Sequence, residues 1–141
     1  MPLSYADVEP GSELPQKSYQ VTRLDLVKYA GASSDFNVIH WNERVARSVG
    51  LPNVIAHGMY TMAQAGRYVT EWAGGDPGAV TEFGVRFSGM VPVPDDDQGA
   101  TIEVSGTVRE KLGDNKVAVD LTARAGGTKV LTRARAVVRL P

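Results

Sequence analysis

The sequence predicts an α+β domain in which an antiparallel sheet packs on one long helix. Three observations carry this expectation. Helix signals dominate up to Ala73, four β-rich segments joined by turn residues follow Pro77, and 141 residues with 43% apolar content suit one hydrophobic core. A single domain over residues 1–141 is therefore expected. The net charge of −1 gives no general attraction to nucleic acid or to anionic membranes. The lack of cysteine excludes disulfides, thiolate nucleophiles and cysteine-based metal sites, and 2 histidines make a His-rich zinc site improbable. The opening residues lack a secretory pattern, and no apolar run reaches the ~20 residues that span a bilayer, so a cytoplasmic protein is expected.

Tyr19 to Thr22 reads as a short extended piece. Thr22-Arg23-Leu24-Asp25 then has the pattern of a capping box, with Asp in place of the usual Glu, and starts a helix. Leu24, Val27, Tyr29 and Ala30 give that helix an apolar side, and Gly31 with Ser33-Ser34 ends it. A turn from Asp35 to His40 follows. Asn42 can cap a second short helix through Glu43, Val45, Ala46 and Val49, closed by Gly50 and Pro52. The longest helix spans Tyr60 to Ala73 and stops at Gly74-Gly75 and Asp76-Pro77-Gly78. Met59, Met62, Ala63, Ala65, Gly66 and Val69 are small or pliable, which lets a sheet wrap closely, although such a stripe is also ordinary core packing.

Val80 to Phe87, Thr101 to Leu112, Lys116 to Arg124 and Lys129 to Leu140 alternate or are rich in β-branched residues, as strands are. Gly113-Asp114-Asn115 and Gly126-Gly127-Thr128 supply hairpin turns, so a long antiparallel meander is expected here. Asp95-Asp96-Asp97 reads as a solvated turn rather than a cation site. Arg124, Lys129, Arg133, Arg135 and Arg139 suit either a solvated strand face or contact with an anionic carrier or cofactor.

Asp35 and His40 have the side chains of an acid/base pair, since imidazole titrates nearest neutrality and a carboxylate can fix its tautomer. Their spacing is roughly 140° around a helix and points to opposite faces of a strand, so they meet only if the backbone bends between them. Asn37 suits such a bend. Taken alone, the pair is a weak motif and reads first as a turn or cap residue at Asp35 and a hydrogen-bonded core side chain at His40. The second element is Ile55-Ala56-His57-Gly58-Met59, at the start of the long helix. The first amides of a helix lack partners and favour developing negative charge, and Gly58 has no side chain to obstruct a ligand oxygen. A thioester carbonyl placed there is polarised toward an enolate, at about 3 kcal/mol per donor. His57 reads as a structural support that anchors the loop. Nucleotide loops of the GxxxxGK[ST] and GxGxxG types, HExxH and GxSxG are all missing from the sequence.

At these two elements the chain resembles the MaoC-like, or (R)-specific, hydratases and dehydratases. The family signature is an aromatic residue, a small stretch, Gly-Asp-X-Asn-Pro, an aliphatic residue, His and a later small residue. Here it reads Tyr29-Ala30-Gly31-Ala32-Ser33-Ser34-Asp35-Phe36-Asn37-Val38-Ile39-His40 with Ala46. Ser34 stands where the family has Gly and Val38 where it has Pro, which leaves the turn less preset in φ. Gly75-Asp76-Pro77-Gly78-Ala79-Val80-Thr81-Glu82-Phe83, Val85-Arg86-Phe87 and Val91-Pro92-Val93-Pro94 are similar to the β subunits of mycobacterial-type (3R)-hydroxyacyl-ACP dehydratases.

The resemblance implies a hot-dog fold, with the antiparallel β-sheet wrapped around a long central helix, paired as a homodimer or as a heterodimer with another hot-dog subunit. It implies interconversion of (3R)-3-hydroxyacyl and trans-2-enoyl thioesters, on acyl-ACP or acyl-CoA, in fatty acid metabolism and without a metal or other cofactor. By the same resemblance Asp35 and His40 are the catalytic pair, Gly58 the oxyanion donor and Asn37 a supporting residue of the substrate loop. Some members carry a serine on the central helix where this chain has Gly66, and the acyl tail is expected to run along that helix past Gly66 and the alanines. Two other readings stay open: a non-catalytic hot-dog subunit shaping the acyl site of an active partner, and a hot-dog acyl thioesterase. Neither a nucleic acid nor a membrane partner is expected.

Overall fold

Two tight turns organise the sheet. Asp114 and Asn115 take φ of 63° and 54°, and Gly126 and Gly127 take 57° and 77°. Pairs of positive φ are the geometry that joins antiparallel strands without splaying them. A computed structural model, describing residues 3–141, shows β3 (Ala100–Lys111), β4 (Lys116–Ala125) and β5 (Thr128–Arg139) joined through these turns. β1 (Glu13–Val21) pairs with β3 and β2 (Val80–Phe87) with β5, giving an antiparallel sheet of order β1-β3-β4-β5-β2. The expected meander thus covers β3 to β5 alone. Residues 88–99, with Pro92 and Pro94, carry the chain from the β2 edge across to β3 instead of turning back in a hairpin.

β1 is longer than the Tyr19 to Thr22 piece read from the sequence. Only Leu14, Tyr19 and Val21 are buried on it, and the register slips between Leu14 and Lys17, around Pro15. An edge strand tolerates Pro at such a bulge, which breaks the alternation that sequence reading depends on.

α1 (Arg23–Ser33) starts where expected: the Thr22 hydroxyl accepts from the Asp25 N–H while Asp25 accepts from the Thr22 N–H. Its buried residues are Leu26 and Ala30, whereas Leu24 and Val27 are 61% and 55% exposed. The expected apolar side is therefore corrected by one face. Gly31 lies inside the helix, and Ser34 ends it in the left-handed region at φ 62°. α2 (Glu43–Ser48) is capped by the Asn42 side chain, which accepts from Val45 N–H. Arg23 ties these pieces down, donating to Val93 O at 3.0 Å, to Glu43 at 3.1 Å and to Asn53.

The central helix α3 (Gly58–Trp72) begins two residues before the expected Tyr60, with His57 as its extended N-cap and Thr61 N–H closing the first turn on His57 O at 3.2 Å. Thr61, Ala65, Tyr68 and Val69 face the core, against Val21, Ile102, Val104, Val117 and Val119 of the sheet. Met59 is 57% exposed, so the small-residue stripe only partly faces inward. Glu71 fastens the far end of α3 to β1 through Lys17 Nζ at 2.6 Å and Tyr19 OH at 3.2 Å, and also accepts from Arg67 at 2.7 Å. No helix among the described residues is long and apolar enough to cross a membrane. Asp96 accepts from the Gln98 and Gly99 amides within an exposed turn. Of the late basic residues, Arg135 and Arg139 pair with Asp120 and Asp114.

Candidate active site

The bend between Asp35 and His40 is held by a run of local bonds. Ser33 Oγ accepts from Asp35 N–H (3.2 Å), Asp35 Oδ1 from Asn37 N–H (3.2 Å), and Asn37 Oδ1 from Ile39 N–H (3.3 Å). Trp41 Nε1–H then closes the loop on Phe36 O at 3.0 Å. Side-chain oxygens of Ser, Asp and Asn bind nearby amides in this manner wherever helix and sheet ladders are absent. They supply the shape that Gly at 34 and Pro at 38 would have preset. Val38–His40 forms a single tight helical turn, and His40 ends up buried while Asp35 is exposed.

His40 Nδ1 lies 2.6 Å from Ile55 O. A carbonyl oxygen only accepts, so Nδ1 carries the proton in that bond and Nε2 is left as the basic nitrogen. His57 Nε2 likewise donates to Asp35 O at 3.1 Å, which joins the start of α3 to the loop. The two imidazoles stack at 3.8 Å with 22° between their planes, and Tyr29 tilts onto His57 at 4.7 Å. His57 is 1% exposed, and its Nδ1 finds no partner. Burial is the main cause holding its pKa below the ordinary imidazole value, with the His40 ring acting in the same direction; the bond to Asp35 O and the Asp35 charge oppose it. One ligand atom from each of Asp35, His40 and His57 falls within 4.8 Å of the others. These are residue types that bind a divalent cation, although His40 Nδ1 and His57 Nε2 are already bonded to the carbonyls of Ile55 and Asp35.

Gly58, as the first residue of α3, has an N–H that the helix itself does not satisfy. It borders a cavity of about 350 Å³ that is also lined by His40, Thr61, Phe87, Met90 and Leu131. A methyl at Gly58 would stand 3.1 Å from the Phe87 ring, so glycine is what lets β2 and α3 approach here. Further along α3 a methyl at Gly66 would lie 3.4 Å from the Phe83 ring, an ordinary contact, so the ring leaves beside this residue a gap of about one methyl group. The expected room for an acyl tail beside Gly66 is thus taken by Phe83, a correction to the sequence reading.

The structure therefore brings Asp35, His40 and His57 together and sets His40 and Gly58 on one cavity, while Asn37 shapes the loop and does not line that cavity. Sequence reasoning on single residues missed Phe87 and Trp41. An aromatic at the end of a β-pattern signals Phe87 only once Gly58 is known to lie opposite, and nothing local marks an indole as a loop clasp.

A model of the MaoC-like domain matches residues 7–125. A solved structure described as a MaoC-like dehydratase superposes with a TM-score of 0.93 at 42% identity, over 98% of this chain and 42% of that one. The fatty acid synthase subunit beta of Aspergillus oryzae is 44% identical over 70 residues, 48% of this chain and 3% of its own length. The 3-hydroxyacyl-thioester dehydratase X of Mycobacterium tuberculosis is 35% identical over 80 residues, 57% of this chain and 27% of its own length. The chain thus spans well under two thirds of each of these relatives.

Proposed function

The chain belongs to the MaoC-like domain family, and from that premise we propose that it is a hydro-lyase that interconverts (3R)-3-hydroxyacyl and trans-2-enoyl thioesters of CoA or an acyl carrier protein. The observation that supports this is that His40, with a basic ring nitrogen, lies beside the Asp35 carboxylate and shares one cavity with the Gly58 amide that the helix leaves unsatisfied. The thioester carbonyl accepts from Gly58 N–H, where the positive end of α3 stabilises the enolate that forms as the α-proton leaves. Asp35 and His40 take that proton and return one to the departing β-hydroxyl, which leaves as water. Hydration is the same path reversed, and the net proton count is unchanged.

The names of the two curated relatives, a fatty acid synthase subunit and a 3-hydroxyacyl-thioester dehydratase, support an acyl-thioester substrate. A second hot-dog unit as partner is supported by the free outer edges of β1 and β2 and by the exposed Leu24, Val27, Phe36 and Trp41.

Hydration of a trans-2-enoyl-CoA, followed by loss of the conjugated thioester absorbance, tests the reading. Asp35→Asn and His40→Ala are each expected to lower kcat by about 10²-fold or more with the fold retained. Parent-level turnover in both folded variants refutes the assignment, and free thiol released from the substrate marks a thioesterase instead.

A further inference from the structure

The route along α3 is closed by two rings of β2, Phe87 over Gly58 and Phe83 over Gly66. Space lies instead in the cavity beside His40 and Gly58, whose floor is the buried trio Val91, Val130 and Leu131 and whose mouth is Phe87 and Met90, 54% and 46% exposed. We propose that this chain is selective for short acyl thioesters, the tail seated on the Val91, Val130 and Leu131 floor, with Phe83 denying longer tails the helix groove. This rests on the function proposed above and names its substrate class.

The carrier arm leaves past Phe87 and Met90, the exposed side, and the acyl end points inward to residues that are 1–2% exposed. The lining is almost wholly apolar, as a hydrocarbon tail requires. At about 30 Å³ for each small heavy-atom group, the share of a water in the liquid, the cavity takes roughly a dozen. The sulfur, the carbonyl, the α and β carbons and the β oxygen use about half. The roughly six groups left, added to the first three carbons, set a limit of about nine acyl carbons.

Binding and turnover separate the two levels of the claim. Calorimetric titration with butyryl-, octanoyl- and dodecanoyl-CoA, saturated thioesters with no double bond to hydrate and no hydroxyl to lose, reads the pocket alone. Hydration of the matching trans-2-enoyl-CoAs reads the reaction. Dodecanoyl-CoA is expected to bind at least tenfold more weakly than octanoyl-CoA. Phe83→Ala is expected to close that gap and Phe83→Leu, which keeps most of the packing, to narrow it. Ala56→Val, which fills the cavity from its wall, is expected to cost octanoyl-CoA at least tenfold relative to butyryl-CoA. Equal binding of the octanoyl and dodecanoyl compounds, or a length profile unchanged in folded Phe83→Leu and Ala56→Val, overturns the proposal. Length-limited binding without hydration of any enoyl-CoA sinks the hydro-lyase reading and leaves the pocket assignment standing; hydration of all lengths alike does the reverse.

Discussion

Ser34 holds a left-handed backbone position, φ 62°, that costs an L-residue with a β-carbon about 1–2 kcal/mol and glycine almost nothing. Ser34→Gly is accordingly expected to raise the unfolding free energy by about 1 kcal/mol, read from urea denaturation. Four residues on, Val38 opens a helical turn after Asn37 at ψ 124°, a backbone that accepts a following proline. Val38→Pro should be neutral or stabilising by about 0.5 kcal/mol in the same measurement, and a large loss would show that the turn needs the Val38 N–H. At this scale the sequence showed which side chains are the ones proposed to carry the chemistry, because acid, base and bend residue lie within one short segment. It did not show how the bend survives without Gly and Pro. That depends on the local bond from Asp35 N–H to Ser33 and on Trp41, whose bond to Phe36 O is set by the folded loop and has no spacing rule behind it.

Elements with their own start and stop chemistry were the legible ones. The Thr22 capping box begins α1, Asn42 begins α2, and the paired positive-φ turns at Asp114-Asn115 and Gly126-Gly127 fix three strands. Thr22→Ala removes a cap oxygen and is expected to cost about 1 kcal/mol, checked by the shift in denaturation midpoint at unchanged slope. Where tertiary packing chooses between two local options, the sequence offered less. Leu24 and Val27 form as plausible an inner face for α1 as Leu26 and Ala30, and only contact with the sheet selects the second pair. β1 was truncated by its Pro15 bulge, and α3 was read late because Gly58 and Met59 look like loop until Thr61 N–H is seen to bond His57 O. The placement of β2 beyond β5 is a topological choice that strand patterns do not encode, although it is what brings Phe83 and Phe87 onto α3.

For the whole molecule, burial and ion pairing together set how stability responds to acid. His57 is held neutral, so its folded pKa lies below the ordinary 6.5 that it regains on unfolding. Above 6.5 neither state binds a proton; as the pH falls below it, the unfolded chain takes one first, and stability declines until the folded pKa is passed. Glu71 acts in a lower window. Its bonds from Lys17 and then Arg67 pull its pKa from the ordinary 4.5 to about 2, so the stabilisation present above 4.5 is lost progressively toward pH 2. Asp7, held low chiefly by the Ser4 hydroxyl, and Glu43, held low chiefly by Arg23, add to that second window. Denaturation midpoints should therefore fall in two steps, one beginning near pH 6.5 and one beginning near pH 4.5. His57→Gln, which has no ring to charge, is expected to flatten the first step and leave the second; Glu71→Gln is expected to shrink the second and leave the first. A parent and a His57→Gln curve that run parallel between pH 7 and 5 would mean that His57 titrates normally inside the fold. Because His57 donates to the Asp35 carbonyl and stacks on His40, the same measurement reports on the surroundings of the two residues proposed to move protons.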